Sequence, residues 1–167
     1  MKPELTAERL REILGYYPDS GIFIWKQCGA TAKRREGTIA GGLTDEGYWR
    51  IYALGWPFKA HRLAFLYQTG AWPRGEVDHI NGMKADNRWS NLRDATAFVN
   101  QQNKLVARSD NRSSGLLGVT WNKRIKRFQA QIWVRGKITH LGYFDDPEQG
   151  HQAYLCAKRR LHEGCTI

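Results

Sequence analysis

Cysteine is scarce in this 167-residue sequence, and Cys28, Cys156 and Cys165 form no C-x-x-C pair. Three thiols so placed argue against a disulfide framework and against a structural zinc site, and make reduced thiols in a cytoplasmic protein the expectation. Long apolar runs are also missing, so no membrane span is expected. The residues after Met1 are heavily charged and offer no signal-peptide core. Acidic residues are the third shortage. Against 26 Lys and Arg stand 16 Asp and Glu, a formal charge of +10 with a pI near 9.8. Such an imbalance suits a polyanionic partner. Neither an internal repeat nor a low-complexity tract is present.

What is abundant is material for a core: 41% hydrophobic residues, including seven tryptophans. The length allows one domain or two small ones. Charge is divided unevenly along it. Residues 1–103 carry 14 basic and 11 acidic side chains, whereas residues 104–167 carry 12 and 5. A nucleic acid would therefore be gripped mainly by the C-terminal part, although basic surface alone is weak evidence.

From the N-terminus, Thr6 reads as a helix cap, with Glu8 near the positive end of the dipole and Leu5 placed to staple onto Leu10. Leu10, Ile13 and Leu14 share a face, and Gly15 is the expected stop. Residues 22–26 read as a strand after the turn at Pro18-Asp19-Ser20-Gly21. Residues 27–37 read as an exposed basic loop in which Lys33, Arg34 and Arg35 could touch phosphate, although so short a charge run is usually only solvated. Two more strands are expected at 48–54 and 57–60, turning at Gly55-Trp56. A helix through Leu63, Ala64, Leu66 and Tyr67 should end at Gly70.

The stretch Val77-Asp78-His79-Ile80-Asn81-Gly82 carries the most chemistry. Asn91 follows His79 by 12 residues, and Asn100 follows Asn91 by 9. Thr96 is a suitable N-cap, so residues 97–104 read as a short helix with Asn100 about one turn in. A hairpin then offers Asp-His, and a helix returns an amide oxygen to the same place. Aspartate and amide oxygens are hard donors that favour Mg²⁺ or Mn²⁺. One such ion per site could hold a phosphate oxygen and stabilise the departing 3′ oxygen while a neutral imidazole takes a proton from water. Asn91 would brace the hairpin. Asn81-Gly82 by itself is an ordinary turn signal; four polar residues at these spacings favour chemistry.

Asp78-His79, Asn91 and Asn100 resemble the ββα-metal motif of HNH endonucleases, in the His-Asn-Asn form of phage homing endonucleases. The resemblance implies His79 as general base, Asp78 and Asn100 as metal ligands, and Asn91 as the loop's positioning residue. It also implies DNA hydrolysis that leaves 5′-phosphate and 3′-hydroxyl ends. The commoner form of the motif ends in a histidine ligand, and Asn100 in that place makes zinc or nickel less suitable. His61-Arg62 is similar to a pair that often precedes the motif. Arg62 could contact the backbone of the cut strand, though an ordinary surface His-Arg pair fits equally well.

Beyond a polar stretch at 107–114 the hydrophobic period switches to two. Val119 and Trp121 alternate with Thr120 and Asn122. Phe128, Ala130, Ile132 and Val134 alternate with Gln129, Gln131, Trp133 and Arg135. Arg135-Gly136 reads as a turn into a third strand over 137–144, and Asp146 with Pro147 opens a helix striped by Ala153, Tyr154, Ala157 and Leu161. One sheet face should pack on that helix. The other would show Thr120, Asn122, Arg124, Gln129, Gln131, Trp133, Arg135 and His140, with Lys137 and Arg135 placed for phosphate. Amide and guanidinium groups suit base edges, and a β-ribbon can enter the major groove. Gly118-Val119, then Phe128-x-Ala130-x-Ile132, then Leu141-Gly142-Tyr143-Phe144 and the Ala-rich helix resemble, over about residues 113–164, the APETALA2-type domain of plant ethylene-response factors. Thr120, Gln131 and Trp133 replace arginines of the plant pattern, so its sequence preference does not transfer.

The expected chain is α+β. A ββα-metal (HNH) nuclease domain at 1–106, its core near 76–104, is followed by a linker at 107–114. An APETALA2-like domain at 115–167 comes last, a three-stranded antiparallel sheet packed on one C-terminal helix. The expected activity is metal-dependent, site-selective homing or nicking of double-stranded DNA, with no membrane and no obligatory protein partner. The expected location is the cytoplasm, that of the host cell if the protein is phage-encoded. A non-enzymatic DNA-binding regulator that keeps the nuclease fold is the alternative; intact Asp78, His79 and Asn100 favour the enzyme.

Overall fold

The computed structural model describes residues 5–26, 36–104, 106, 107 and 109–165. Cys28 and the Lys33-Arg34-Arg35 run lie outside the described residues. The chain divides into two compact units, Met1–Ala97 and Phe98–Ile167.

In the first unit, α1 spans Ala7–Ile13, and Thr6 Oγ1 accepts from Arg9 N at 3.2 Å as the sequence predicts. The helix ends one residue earlier than the apolar stripe implies. Leu14 opens strand β1, Leu14–Tyr17, which pairs antiparallel with β2, Ile22–Trp25. Leu14 is fully buried in the strand, and its hydrophobicity suits a helical stripe equally, so it could not separate helix from strand. A second sheet has the order β3 (Gly42–Leu43), β4 (Trp49–Ala53), β5 (Trp56–Lys59). Its hairpin turns at Leu54-Gly55, not Gly55-Trp56, with φ of 50° and 81°. A two-residue turn with both φ positive matches the strand twist, and only one of its two residues needs to be glycine.

Helix α2, Ala60–Thr69, ends where Gly70 adopts a left-handed φ of 79°. Strands β6 (Glu76–His79) and β7 (Leu92–Ala95) form an antiparallel pair, and a 3₁₀ turn at Trp89–Asn91 leads into β7. Leu10, Leu14, Phe23, Ile51, Leu63 and Leu66 lie in one buried cluster that also takes Val77 and Leu92. The hairpin bearing Asp78 and His79 is thus anchored to the core through the residues that flank them.

In the second unit, β8 (Val119–Asn122), β9 (Arg127–Val134) and β10 (Lys137–Phe144) form an antiparallel sheet in the order β10-β9-β8. Arg135 and Gly136, with φ of 49° and 81°, make the expected turn. Helix α4, Pro147–Leu161, is capped by Asp146, whose Oδ1 accepts from Glu148 N at 3.0 Å. It packs across the sheet, where Val119, Ala130 and Ile132 are buried. The polar stretch before β8 closes its edge. Asn111 Nδ2 donates to Leu116 O and Val119 O, both at 2.9 Å, and Ser113 Oγ accepts from Trp121 N at 3.1 Å.

Helix α3, Ala97–Gln102, follows β7 in the chain. Within the second unit its end is tied to α4 and the residues after it. Gly164 N donates to Gln102 Oε1 at 3.1 Å, and the fully buried Lys158 donates to Lys104 O at 2.5 Å.

Candidate active site and nucleic-acid face

Three consecutive residues of β6 are buried, Val77, Asp78 and His79, so the strand is covered on both faces. A buried carboxylate needs a partner. Register puts Arg93 of β7 opposite Asp78, and its Nε and Nη2 reach Asp78 Oδ2 at 2.9 and 2.7 Å. Removing Arg93 alone would take a charge-assisted partner from that buried carboxylate, a destabilising change. No sequence pattern marks Arg93 as the partner of Asp78. Its position opposite Asp78 follows from the hairpin register, which depends on loop length.

The loop between the strands is held by amides. Asn91 Oδ1 accepts from Asn81 N at 2.9 Å and its Nδ2 donates to Asp86 O at 2.7 Å, while Ile80 N donates to Asn91 O at 2.9 Å. Asn91 therefore joins both ends of the loop. Asp86 accepts from Arg88 and from Asn81 Nδ2. The Arg88 hydrogen bond, foremost, holds the Asp86 carboxyl at about 2.

His79 Nε2 lies 3.3 Å from Asn87 Oδ1. Asn87 Nδ2 donates to Ala85 O at 3.1 Å, which turns the amide oxygen toward the ring. An amide oxygen only accepts, so the contact selects the tautomer with hydrogen on Nε2 and leaves the acceptor lone pair on Nδ1. Asn87 is itself fixed, since Tyr16 OH donates to its carbonyl at 2.7 Å. Burial lowers the pKa of His79 against the opposing pull of Asn87 and Asp78. At neutral pH the imidazole is a neutral base.

His61, buried on α2, packs its ring edge-on to His79 at 4.9 Å between centroids. Burial first, then His79 and Lys59, push its pKa down to about 3. Its Nδ1 is buried and has no hydrogen-bond partner among the described residues. Arg62 donates Nη1 to Gly75 O at 3.2 Å and lies over the Trp72 ring, so it holds the approach to β6.

Asp78, His79 and Asn91 thus share one hairpin. Asn100 stands half-buried on α3 in the second unit, and the DNA-face candidates other than Arg62 belong to that unit's sheet and turns. Among the described residues no group of three His, Cys, Asp or Glu could hold a metal. A lone carboxylate instead fits a hard ion that takes few protein ligands and completes its shell with water and phosphate.

On the second unit's sheet, Asn122 Nδ2 donates to Gln129 Oε1 at 3.0 Å and Gln129 Nε2 donates to Gln131 Oε1 at 3.2 Å. The three amides form an ordered row. Thr120, Arg124, Trp133, Arg135, Lys137 and His140 are exposed. The face is not bare at its β9 end, where Gln131 and Trp133 line a cavity of about 360 Å³ with Phe98, Gln101 and His162. The sequence pattern could not place α3 beside the sheet.

The hairpin thus carries a buried acid–imidazole pair, with the imidazole neutral and its tautomer fixed by Asn87. Residues 58–102, from β5 through α3, match the family model of HNH endonucleases. No curated protein and no solved structure matches the chain.

Proposed function

We propose that the chain is a metal-dependent DNA endonuclease of the HNH type, with a phage-type site-selective homing or nicking role. The observation that carries this reading is His79: a buried, neutral imidazole, oriented by Asn87, inside the segment that matches HNH endonucleases.

His79 Nδ1 accepts the proton of the attacking water, and Asn87 keeps the ring in the competent tautomer. Asp78 would hold one Mg²⁺ or Mn²⁺. When bound, that ion supplies Lewis-acid stabilisation of the phosphate and the leaving oxygen. Asn91 keeps the loop closed so that His79 and Asn87 stay in register. The second unit, an APETALA2-like module, grips double-stranded DNA: its amide row reads base edges, while Arg124, Arg135 and Lys137 meet phosphates.

Incubation of the purified chain with supercoiled plasmid tests the reading. Nicked circles, with 5′-phosphate ends, should form with Mg²⁺ or Mn²⁺ and not with EDTA. Intact plasmid under every metal condition would refute it.

A further inference from the structure

Tyr48, Lys59 and Lys84 stand beside the catalytic hairpin and have no part in the steps above. The half-buried Tyr48 ring lies 6.3 Å from the His79 ring and 5.4 Å from that of His61. Lys59, where β5 meets α2, sets its Nζ 4.0 Å from the centroid of the Tyr48 ring. Lys84, in the loop after β6, sets its Nζ 4.9 Å from the same centroid and donates to Glu46 O at 3.1 Å. Two ammonium groups converge on one ring. Among the described residues neither has a carboxylate within salt-bridge distance. Glu46, Glu76 and Asp78 are nonetheless near enough to add to the effect of burial in raising the Tyr48 hydroxyl pKa.

Fold stability alone gives this arrangement little reason to exist. An exposed cation–π contact contributes about 0.5–1 kcal/mol, ordering a lysine side chain costs up to about 2 kcal/mol, and the two cations repel. A bound anion reverses that balance. A further feature favours one at this place. Lys59 is the N-cap of α2 and gives no side-chain cap, and no acidic residue stands in the helix's first turn, so its positive end is uncompensated.

We propose that Lys59 and Lys84, aligned on the Tyr48 ring, form a seat for a backbone phosphate of the nucleic-acid strand, adjacent to the phosphodiester presented to His79. The seat rests on the nuclease reading and deepens it by naming how the first unit holds its substrate. It fixes the strand's register at the base and acts in binding more than in the chemical step. The aromatic ring carries the lysines; the tyrosine hydroxyl does not take part.

Cleavage kinetics of the full chain on duplex DNA supply the test, with thermal melting to check folding. Lys59→Gln/Lys84→Gln should raise KM about tenfold, change kcat less than about threefold, and lower the salt slope by about one to two phosphate contacts. Tyr48→Leu should repeat the KM rise, and Tyr48→Phe should recover most of it. An active double variant with unchanged KM and salt slope overturns the seat and leaves the nuclease reading intact. If the parent chain cleaves nothing, the nuclease reading fails, and reductive methylation read by mass spectrometry decides the seat. Protection of Lys59 and Lys84 by a short duplex at low salt sustains it; equal reactivity with and without the duplex overturns it.

Discussion

The Asn87 amide orients the imidazole of His79, and burial desolvates it. Asn87 has no reactive atom, yet its oxygen decides which ring nitrogen carries the lone pair. Asn87→Ala is therefore expected to lower kcat about 10–100-fold, the usual loss when a partner that orients a functional histidine is removed. KM should move little. An Asn87→Ala enzyme as fast as the parent would show that the tautomer is set elsewhere. Burial of the imidazoles also has a pH signature. His61 and His79 bind protons more weakly folded than unfolded, His61 with a pKa of about 3 against an ordinary 6.5. The unfolded chain then holds more protons below the ordinary value, so stability is fully present above it and falls as pH drops toward the folded values. Melting temperature should decline steadily from pH 6.5 downward, and less steeply in His61→Phe. A profile that is the same for parent and variant would contradict the buried, neutral imidazole.

At the level of elements, the β1–β2 hairpin supports the site without touching the reacting groups. Gly21 has φ +73°, and a Cβ there would run into the backbone of Asn87 and Arg88. Trp89 N donates to Pro18 O at 2.9 Å, so the same turn holds the loop from a second point. Gly21→Ala should destabilise the chain by about 1–3 kcal/mol through backbone strain alone and should reduce cleavage by displacing Asn87. Full activity with an unchanged melting temperature would contradict that link. The sheet of the second unit gives a paired test. Ile132 is buried beneath α4, and Gln131 stands on the other side in the amide row. Ile132→Ala should cost on the order of 2–5 kcal/mol, whereas Gln131→Ala should relax preference at one or two base pairs in selection from a randomised DNA library. Reversed outcomes would mean the faces are exchanged. These strands were legible because period-two alternation names the buried side. Strand β1 was not, because Leu14 satisfies the helical stripe and the strand alike. Asn87 and Arg93 were visible as residues but not as partners, since loop closure and strand register determine what they meet.

For the whole molecule, the uneven charge and the division into two units are separate facts. The excess of basic over acidic residues lies largely beyond residue 104, while the second compact unit begins at Phe98. The difference arises because the end of α3 and Lys104 satisfy Gly164 and the buried Lys158, pairings that no sequence pattern announces. A fragment beginning at residue 98 keeps those partners and should bind DNA with steep salt dependence. One beginning near residue 113 leaves Lys158 buried without its carbonyl and should melt lower by an amount worth about 1–3 kcal/mol. Equal melting of the two would show that α3 contributes nothing to the second unit.

The rate of plasmid nicking in Mg²⁺ by the parent and by His79→Ala, compared at equal DNA occupancy, bears most directly on the chemistry assigned to the hairpin. Substitution removes the base and not the proposed metal ligand, so cleavage should fall about 10²–10⁴-fold while DNA affinity and metal dependence stay as they were. A His79→Ala chain that nicks at the parent's rate would contradict the mechanism.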